Sequence, residues 1–493
     1  MCILLPRGHI AVSFLLIFIA AAVILAAPSL PTVQAQSGGV AWSKPVKLSQ
    51  ETTTGLRPAV AADPWGGVHV FWAQGADGIG PANLIYYTYW NGQTWTEPVD
   101  VFAGSEWVSY DVPYATVDSR GQLHLIWAGS DGLYYSSALA NRASDVKSWD
   151  PPQILVRASV MAQSRLVVDK EGVLHVVYCR REPGSNVMYL RSRDGGLSWS
   201  DPIAVSQVLP TDPQVPDMVR MTMDGHGSLH LVWAENHPPE FVGRHVYYAR
   251  SDDQGKSWTL PVDLSDLSSN TDWDTAINIA ADGQDQLHVV WTCGASPGRC
   301  YRYSTDGGQS WSEIRHIFQG LIGLAGWDAM ITDPYGDIYW IGTLRYPEAL
   351  YFSLFAGGRW ADPPQPIIGL QDSEGLAQAH FPQVAVGQGN QLHVVMIERD
   401  NGAVWYINGR SSQPGLPPAP TPSPAPTPSP TGPLTAAARP VVMTPTPERE
   451  TVVSSSPPGL YNETDLRPVI WTTAPVLLLV GIVILICISR SRH

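Results

Sequence analysis

Arg57, Arg165 and Arg220 stand at related points of an internal repeat, four to six residues ahead of a turn aspartate. Asp111, Tyr114, Asp274, Trp327, Asp328 and His380 fall in the same short windows, with Trp107, Asp217 and Trp273 close by. Guanidinium groups fork onto carboxylates, and carboxylates accept hydrogen bonds from hydroxyls. Aromatic faces bury apolar surface and stack on pyranose rings. Together these residues make ligand-binding candidates for an acidic or hydroxyl-rich molecule. A channel that simply holds water also needs polar walls, and residue type alone does not separate the two. The sequence assigns no residue a catalytic role.

The repeat that positions them is clearest at Asp118-Ser119-Arg120-Gly121-Gln122-Leu123-His124-Leu125-Ile126-Trp127. An aspartate opens a turn, glycine follows, and a histidine enters an apolar run. The histidine position recurs as His69, His124, His175, His230, His288, Tyr339 and His393. A period near 50 with strand-rich content predicts an all-β protein, a β-propeller of seven four-stranded blades. Three residues before the turn aspartate the ring reads Val60, Ala115, Leu166, Met221, Ile279, Met330 and Val384, all apolar and expected between blades. Four before it stand Ala59, Tyr114, Arg165, Arg220, Asn278, Ala329 and Gln383, which alternation turns toward the channel.

A second motif, Ser-x-Asp-x-Gly-x-x-Trp, runs from Ser192 to Trp199, Ser251 to Trp258 and Ser304 to Trp311. Thr88 to Trp95 and Ser353 to Trp360 are remnants, and blade two is stretched around Ser136 to Trp149. Asp194, Asp253 and Asp306 are expected to accept turn amides, and Trp199, Trp258 and Trp311 to plug the gap between outer strands. The histidines, spread around a ring, cannot converge on a metal, so a structural role is expected of them.

The motif is the Asp-box, or bacterial neuraminidase repeat, and the chain resembles the sialidase-like β-propeller superfamily. The resemblance implies that Asp-boxes brace the outer hairpins away from the site. Sialidases of this kind hold a substrate carboxylate with three arginines. They use an aspartate as acid/base and a tyrosine–glutamate pair as nucleophile. Leu56-Arg57-Pro58 is similar to their Arg-Ile-Pro motif, and Arg165 and Arg220 would complete a cluster. Two functions follow as expectations. One is a surface propeller that binds a glycan or a surface protein without catalysis. The other is an exo-glycosidase of sialidase type acting on terminal acidic sugars.

The seventh repeat lacks its outer strand, and the missing piece lies at the other end. Trp42-Ser43-Lys44-Pro45-Val46-Lys47-Leu48-Ser49 matches Trp258-Thr259-Leu260-Pro261-Val262-Asp263-Leu264-Ser265 at Trp, Pro, Val, Leu and Ser. An N-terminal strand is therefore expected to close the last blade and cover two edges.

Around the propeller (37–412) the sequence predicts further segments. Residues 1–35 read as a secretory signal, with an uncleaved anchor as the other reading. Residues 413–468 form a Pro/Thr/Ser-rich stalk. Residues 469–488 are long and apolar enough for a transmembrane helix, followed by a cytoplasmic tail at 489–493. This predicts a single-pass membrane protein with its propeller outside. A net charge of −14 argues against a nucleic-acid partner. Cys293 and Cys300 flank a short loop and read either as a disulfide or as two buried thiols, while Cys179 has no evident mate. Cys and His show no metal-ligand spacing, and neither a metal nor a cofactor is expected.

Overall fold

The structure is a computed structural model. It describes residues 40–49, 56–75, 82–105, 107–160, 163–182, 184–206, 214–237, 242–265, 275–294, 298–320, 327–345, 348–367, 379–399 and 401–411. The signal, stalk, transmembrane and tail segments lie outside these residues, as does Asp274.

Seven antiparallel sheets follow one another along the chain, each built as an up-and-down meander. Their inner strands are Leu56–Ala62, Tyr110–Val117, Arg165–Val168, Val215–Met223, Thr275–Ala281, Ala329–Thr332 and Ala379–Gly387. Each contacts the next, and the last contacts the first, so the sheets form a closed ring of blades. The second strands carry β-branched and aromatic residues and are buried throughout, as in Val68–Gln74 and Leu287–Thr292.

No blade has a core of its own. The buried apolar residues fall into seven clusters, each spanning two adjacent blades. Phe71 and Tyr87 of blade one meet Leu125 and Trp127 of blade two. Val60 and Val70 of blade one meet Val395 and Tyr406 of blade seven. Fully burying one such large side chain contributes roughly 1.5–3 kcal/mol. Stability therefore resides in the contacts that ring closure completes.

Closure uses the N-terminus as the sequence predicts. Trp42 pairs with Gly409 and Val46 with Tyr406, adding the outer strand that blade seven lacks.

The recurring histidines are locked in place. His175 Nδ1 lies 2.7 Å from the Tyr189 hydroxyl, and its Nε2 lies 3.3 Å from Asp169 Oδ2. His69, His230 and His288 repeat the arrangement with Tyr87, Tyr248 and Tyr301. The turns that carry these aspartates also touch in sequence. Arg120 reaches the Glu171 carbonyl, Lys170 the Gly225 carbonyl, and Asn390 the carboxylate of Asp333.

The Asp-box aspartates act as expected. Asp194 Oδ1 accepts the Ser198 amide at 2.9 Å and the Ser192 hydroxyl at 2.7 Å. Asp253 and Asp306 do the same in their blades. The expectation for the tryptophans needs correction. Trp199, Trp258 and Trp311 pack edge-on against Tyr135, Tyr189 and Tyr248, each in the preceding blade. They join neighbouring blades rather than fill a gap within one.

Candidate functional site

Five of the seven inner strands share an irregularity at the end remote from the aspartate turns. Strand register slips between Leu56 and Ala59, Tyr110 and Pro113, Asp217 and Arg220, Thr275 and Asn278, and His380 and Gln383. Each slip is a β-bulge, a device that bends a strand and re-aims its side chains. Met218, Ala276 and Phe381 sit in these bulges at φ of 54°, 52° and 53°. Left-handed backbone at residues with a Cβ costs energy, and such strain collects at functional sites. Arg57, Asp111, Asp217 and His380 all lie at bulges.

The bulges bring several sequence candidates together. Arg57 lies over the Trp327 ring at 4.0 Å and the Phe381 ring at 4.8 Å. Its Nη1 is 4.0 Å from Asp111 Oδ1. Arg165 lies over the Tyr114 ring at 4.8 Å. Trp107 is exposed nearby in sequence, on the connection into blade two. His380 stands beside Phe381, with ring centroids 5.9 Å apart.

The orientation expected for the row that holds Arg165 and Arg220 needs correction. The two faces of an inner strand meet the two neighbouring blades, so alternation selects a neighbour and not the channel. Ala59 and Ala61 pack toward blade two, while Val60 packs toward blade seven. Tyr114 and Gln383 do line a cavity along the inner strands of blades one, two, six and seven, among Ala59, Ala115 and Ala385. Arg165 and Arg220 are buried instead, at 6% and 5% exposure.

Their hydrogen bonding is sparse for cations so deeply placed. Arg165 Nη1 donates to the Ser164 carbonyl at 3.0 Å, and Arg220 Nη1 to the Val219 carbonyl at 3.1 Å. Among the described residues, Arg220 Nη2 is buried without a hydrogen-bond partner, as are both amide atoms of Gln163 and the Ser164 hydroxyl. Among the described residues neither guanidinium forms an ion pair with a carboxylate. Burial pushes Arg165 down to about 10. Burial, and next the nearby charge of Arg165, holds Arg220 well below its ordinary value.

Asp217 is the carboxyl whose charge acts most on Arg220. Its Oδ1 accepts the Met218 amide at 2.7 Å, and its Oδ2 accepts the Asn236 amide at 3.2 Å. Burial raises its pKa, against the opposing charges of Arg57 and Arg220.

Asp328 has a different task. Its carboxylate receives Arg299 Nε at 2.6 Å and Nη2 at 3.1 Å, together with Trp340 Nε1 at 3.1 Å. Arg299 and Asp328 are both buried, so the forked pair is already satisfied within the fold. Gly342 makes this possible, because a Cβ there would meet the Trp340 ring at 2.2 Å. Asp328 is thus a structural counter-ion. Sequence reasoning missed Arg299, whose one clue was its place beside Cys300.

The architecture is that of a seven-bladed propeller with two buried arginines on the inner strands of blades three and four. Residues 29–266 match the BNR repeat-like domain. Over these residues the chain is similar to proteins that carry this repeat. No curated protein matches it. Among solved structures, the polysaccharide lyase Uly1 superposes with a TM-score of 0.51 at 12% identity, over 70% of this chain and 88% of its own. A Dyadobacter fermentans protein of unknown function gives 0.48 at 15% identity, covering 76% of this chain and 99% of its own. The Hadza microbial sialidase Hz136 gives 0.43 at 14% identity, covering 70% and 77%. At these identities the likeness is one of fold.

Proposed function

We propose that the chain is a cell-surface propeller that binds acidic glycans through Arg165 and Arg220, with Arg57, Trp327 and Trp107 around the entrance. The observation that carries this reading is the buried arginine pair, which forms no ion pair with a carboxylate among the described residues. Burying a cation without an anion is costly, and an anionic ligand removes that cost. The bulged strands and exposed aromatics supply surfaces on which a sugar ring can stack. The relatives in fold include a polysaccharide lyase and a sialidase, which accords with a carbohydrate ligand. Anchorage through 469–488, with the propeller outside on its stalk, completes the proposal. Truncation before residue 469 should release the chain from the membrane fraction, and retention there would refute that part.

A glycan array with sialylated, sulfated, uronic and neutral sugars tests the ligand. Acidic sugars should bind and neutral ones should not. Replacing both Arg165 and Arg220 by alanine should weaken binding at least tenfold, about 1.4 kcal/mol. Unchanged binding in the folded double variant would place function elsewhere.

Asp217 favours a second reading, glycoside hydrolysis of sialidase type. A half-buried carboxyl with a raised pKa is suited to general-acid work beside cations. A fluorogenic sialidase assay separates the two readings. Turnover that is lost in Asp217→Asn supports hydrolysis, and its absence in the native chain leaves binding alone.

A further inference from the structure

Cys293 and Cys300 form a disulfide at the base of a blade-five hairpin, with Cα atoms 5.6 Å apart. His316 lies directly across from Cys300 on the outer strand Arg315–Ile317. Its Nδ1 stands 3.9 Å from Cys293 Sγ and 3.8 Å from Cys300 Sγ. The cysteines are buried and the histidine is exposed, so the group has one wall of protein and one of solvent. None of the three takes part in the arginine site.

We propose that reduction of this bridge by a dithiol creates a site for one zinc-class divalent ion, held by Cys293, Cys300 and His316. The dithiol gives two electrons and two protons to the sulfurs and is itself oxidised to a disulfide. Metal binding then displaces both protons from the thiols, and the neutral imidazole coordinates through Nδ1. Tetrahedral zinc, with sulfur at about 2.3 Å and nitrogen at about 2.0–2.1 Å, sets S···N edges of about 3.6 Å and S···S edges of about 3.8 Å. The imidazole nitrogen already stands near the required edge length from both sulfurs. Only the sulfurs must part. Water fills the fourth position, on the exposed side. Because Arg299 adjoins Cys300, the ion would replace the disulfide as the clamp on the hairpin that holds the Arg299–Asp328 pair.

The test uses the full-length chain in detergent, with Co²⁺ as the spectroscopic probe. After reduction, one equivalent of Co²⁺ should give a thiolate-to-cobalt charge-transfer band and tetrahedral visible bands, which Zn²⁺ displaces. The unreduced chain should give neither. Cys300→Ser should abolish the signal, and His316→Ala should weaken affinity at least tenfold. Cys179→Ser, which removes a buried thiol elsewhere, should leave the spectrum unchanged. The proposal is overturned if reduction yields no such band, or if His316→Ala binds as tightly as the native chain. It is equally overturned if the reduced chain loses its β circular dichroism and Zn²⁺ does not restore it.

Discussion

Trp258 stands edge-on to Tyr189 across the boundary between blades three and four, with ring centroids 5.3 Å apart and planes at 66°. Tyr189 also caps His175, and its hydroxyl reaches the Gln254 carbonyl of the Asp-box turn at 3.1 Å. One side chain thus ties the inner histidine column of its own blade to the outer turn of the next. The contact recurs around the ring, as Trp95 on Tyr406 and Trp149 on Tyr87. The Asp-box is therefore an inter-blade clasp, and its conserved shape within the chain follows from what it grips.

The glycines of the box show how tight that grip is. In blade three, Gly195 and Gly196 both have positive φ, at 74° and 94°. A Cβ on Gly195 would meet nothing within 4 Å, whereas one on Gly196 would meet the Tyr135 hydroxyl at 2.3 Å. Gly195→Ala should cost only the left-handed backbone, roughly 1–2 kcal/mol. Gly196→Ala adds overpacking and should cost about 1–3 kcal/mol more. Urea unfolding of the two variants checks this, and equal losses would deny the clasp.

Blade six carries the same clasp with its parts exchanged. The histidine position is Tyr339, and the tyrosine position on the facing strand is Phe352, against which Trp42 packs at 5.5 Å. The Tyr339 hydroxyl bonds the Ser411 hydroxyl at 2.8 Å. Tyr339→His alone would leave an imidazole nitrogen facing a phenyl ring. Adding Phe352→Tyr should restore its partner. A double-mutant cycle should give a favourable coupling of about 0.5–3 kcal/mol. Additive losses would mean that the two positions do not communicate.

The parts of this fold that every blade restates were legible in the sequence. The histidine column, the three intact Asp-boxes and the N-terminal closure each have several copies to compare. What no other blade repeats was not legible. Arg299 has no counterpart, and its pairing with Asp328 depends on Gly342 leaving room for the Trp340 ring. The burial of Arg165 and Arg220 was hidden for a different reason. Period-two alternation sorts residues onto two faces, but in a ring of blades both faces meet protein. Their depth is set by neighbouring strands.

The histidine column makes the ring sensitive to acid. Burial holds His393 down to about 4, opposed by the charge of Asp63. Burial lowers His69 and His175 as well. The unfolded chain takes up protons near pH 6.5, whereas the folded chain resists until lower pH. Stability from these groups is therefore complete above about pH 6.5 and is lost as pH falls toward 4, by up to about 3 kcal/mol for His393. In His393→Gln the drop in unfolding free energy between pH 7.5 and 4.5 should be smaller than in the native chain. An identical drop would assign the acid sensitivity to other groups.

Under the proposed function, Arg220 sets binding against stability. Among the described residues its Nη2 is buried without a hydrogen-bond partner, and Arg165 repels it in the same low-dielectric surroundings. Methionine has a similar reach, no charge and the flexibility to fill the space. Arg220→Met should therefore leave the ligand-free propeller as stable as the native chain, or more stable by about 1–4 kcal/mol. The same change should weaken acidic-glycan binding at least tenfold, and added ligand should raise Tm less in the variant than in the native chain. A variant that is markedly less stable would show that Arg220 is held by contacts within the fold. A variant that is stable and still binds would remove the arginine pair from the site.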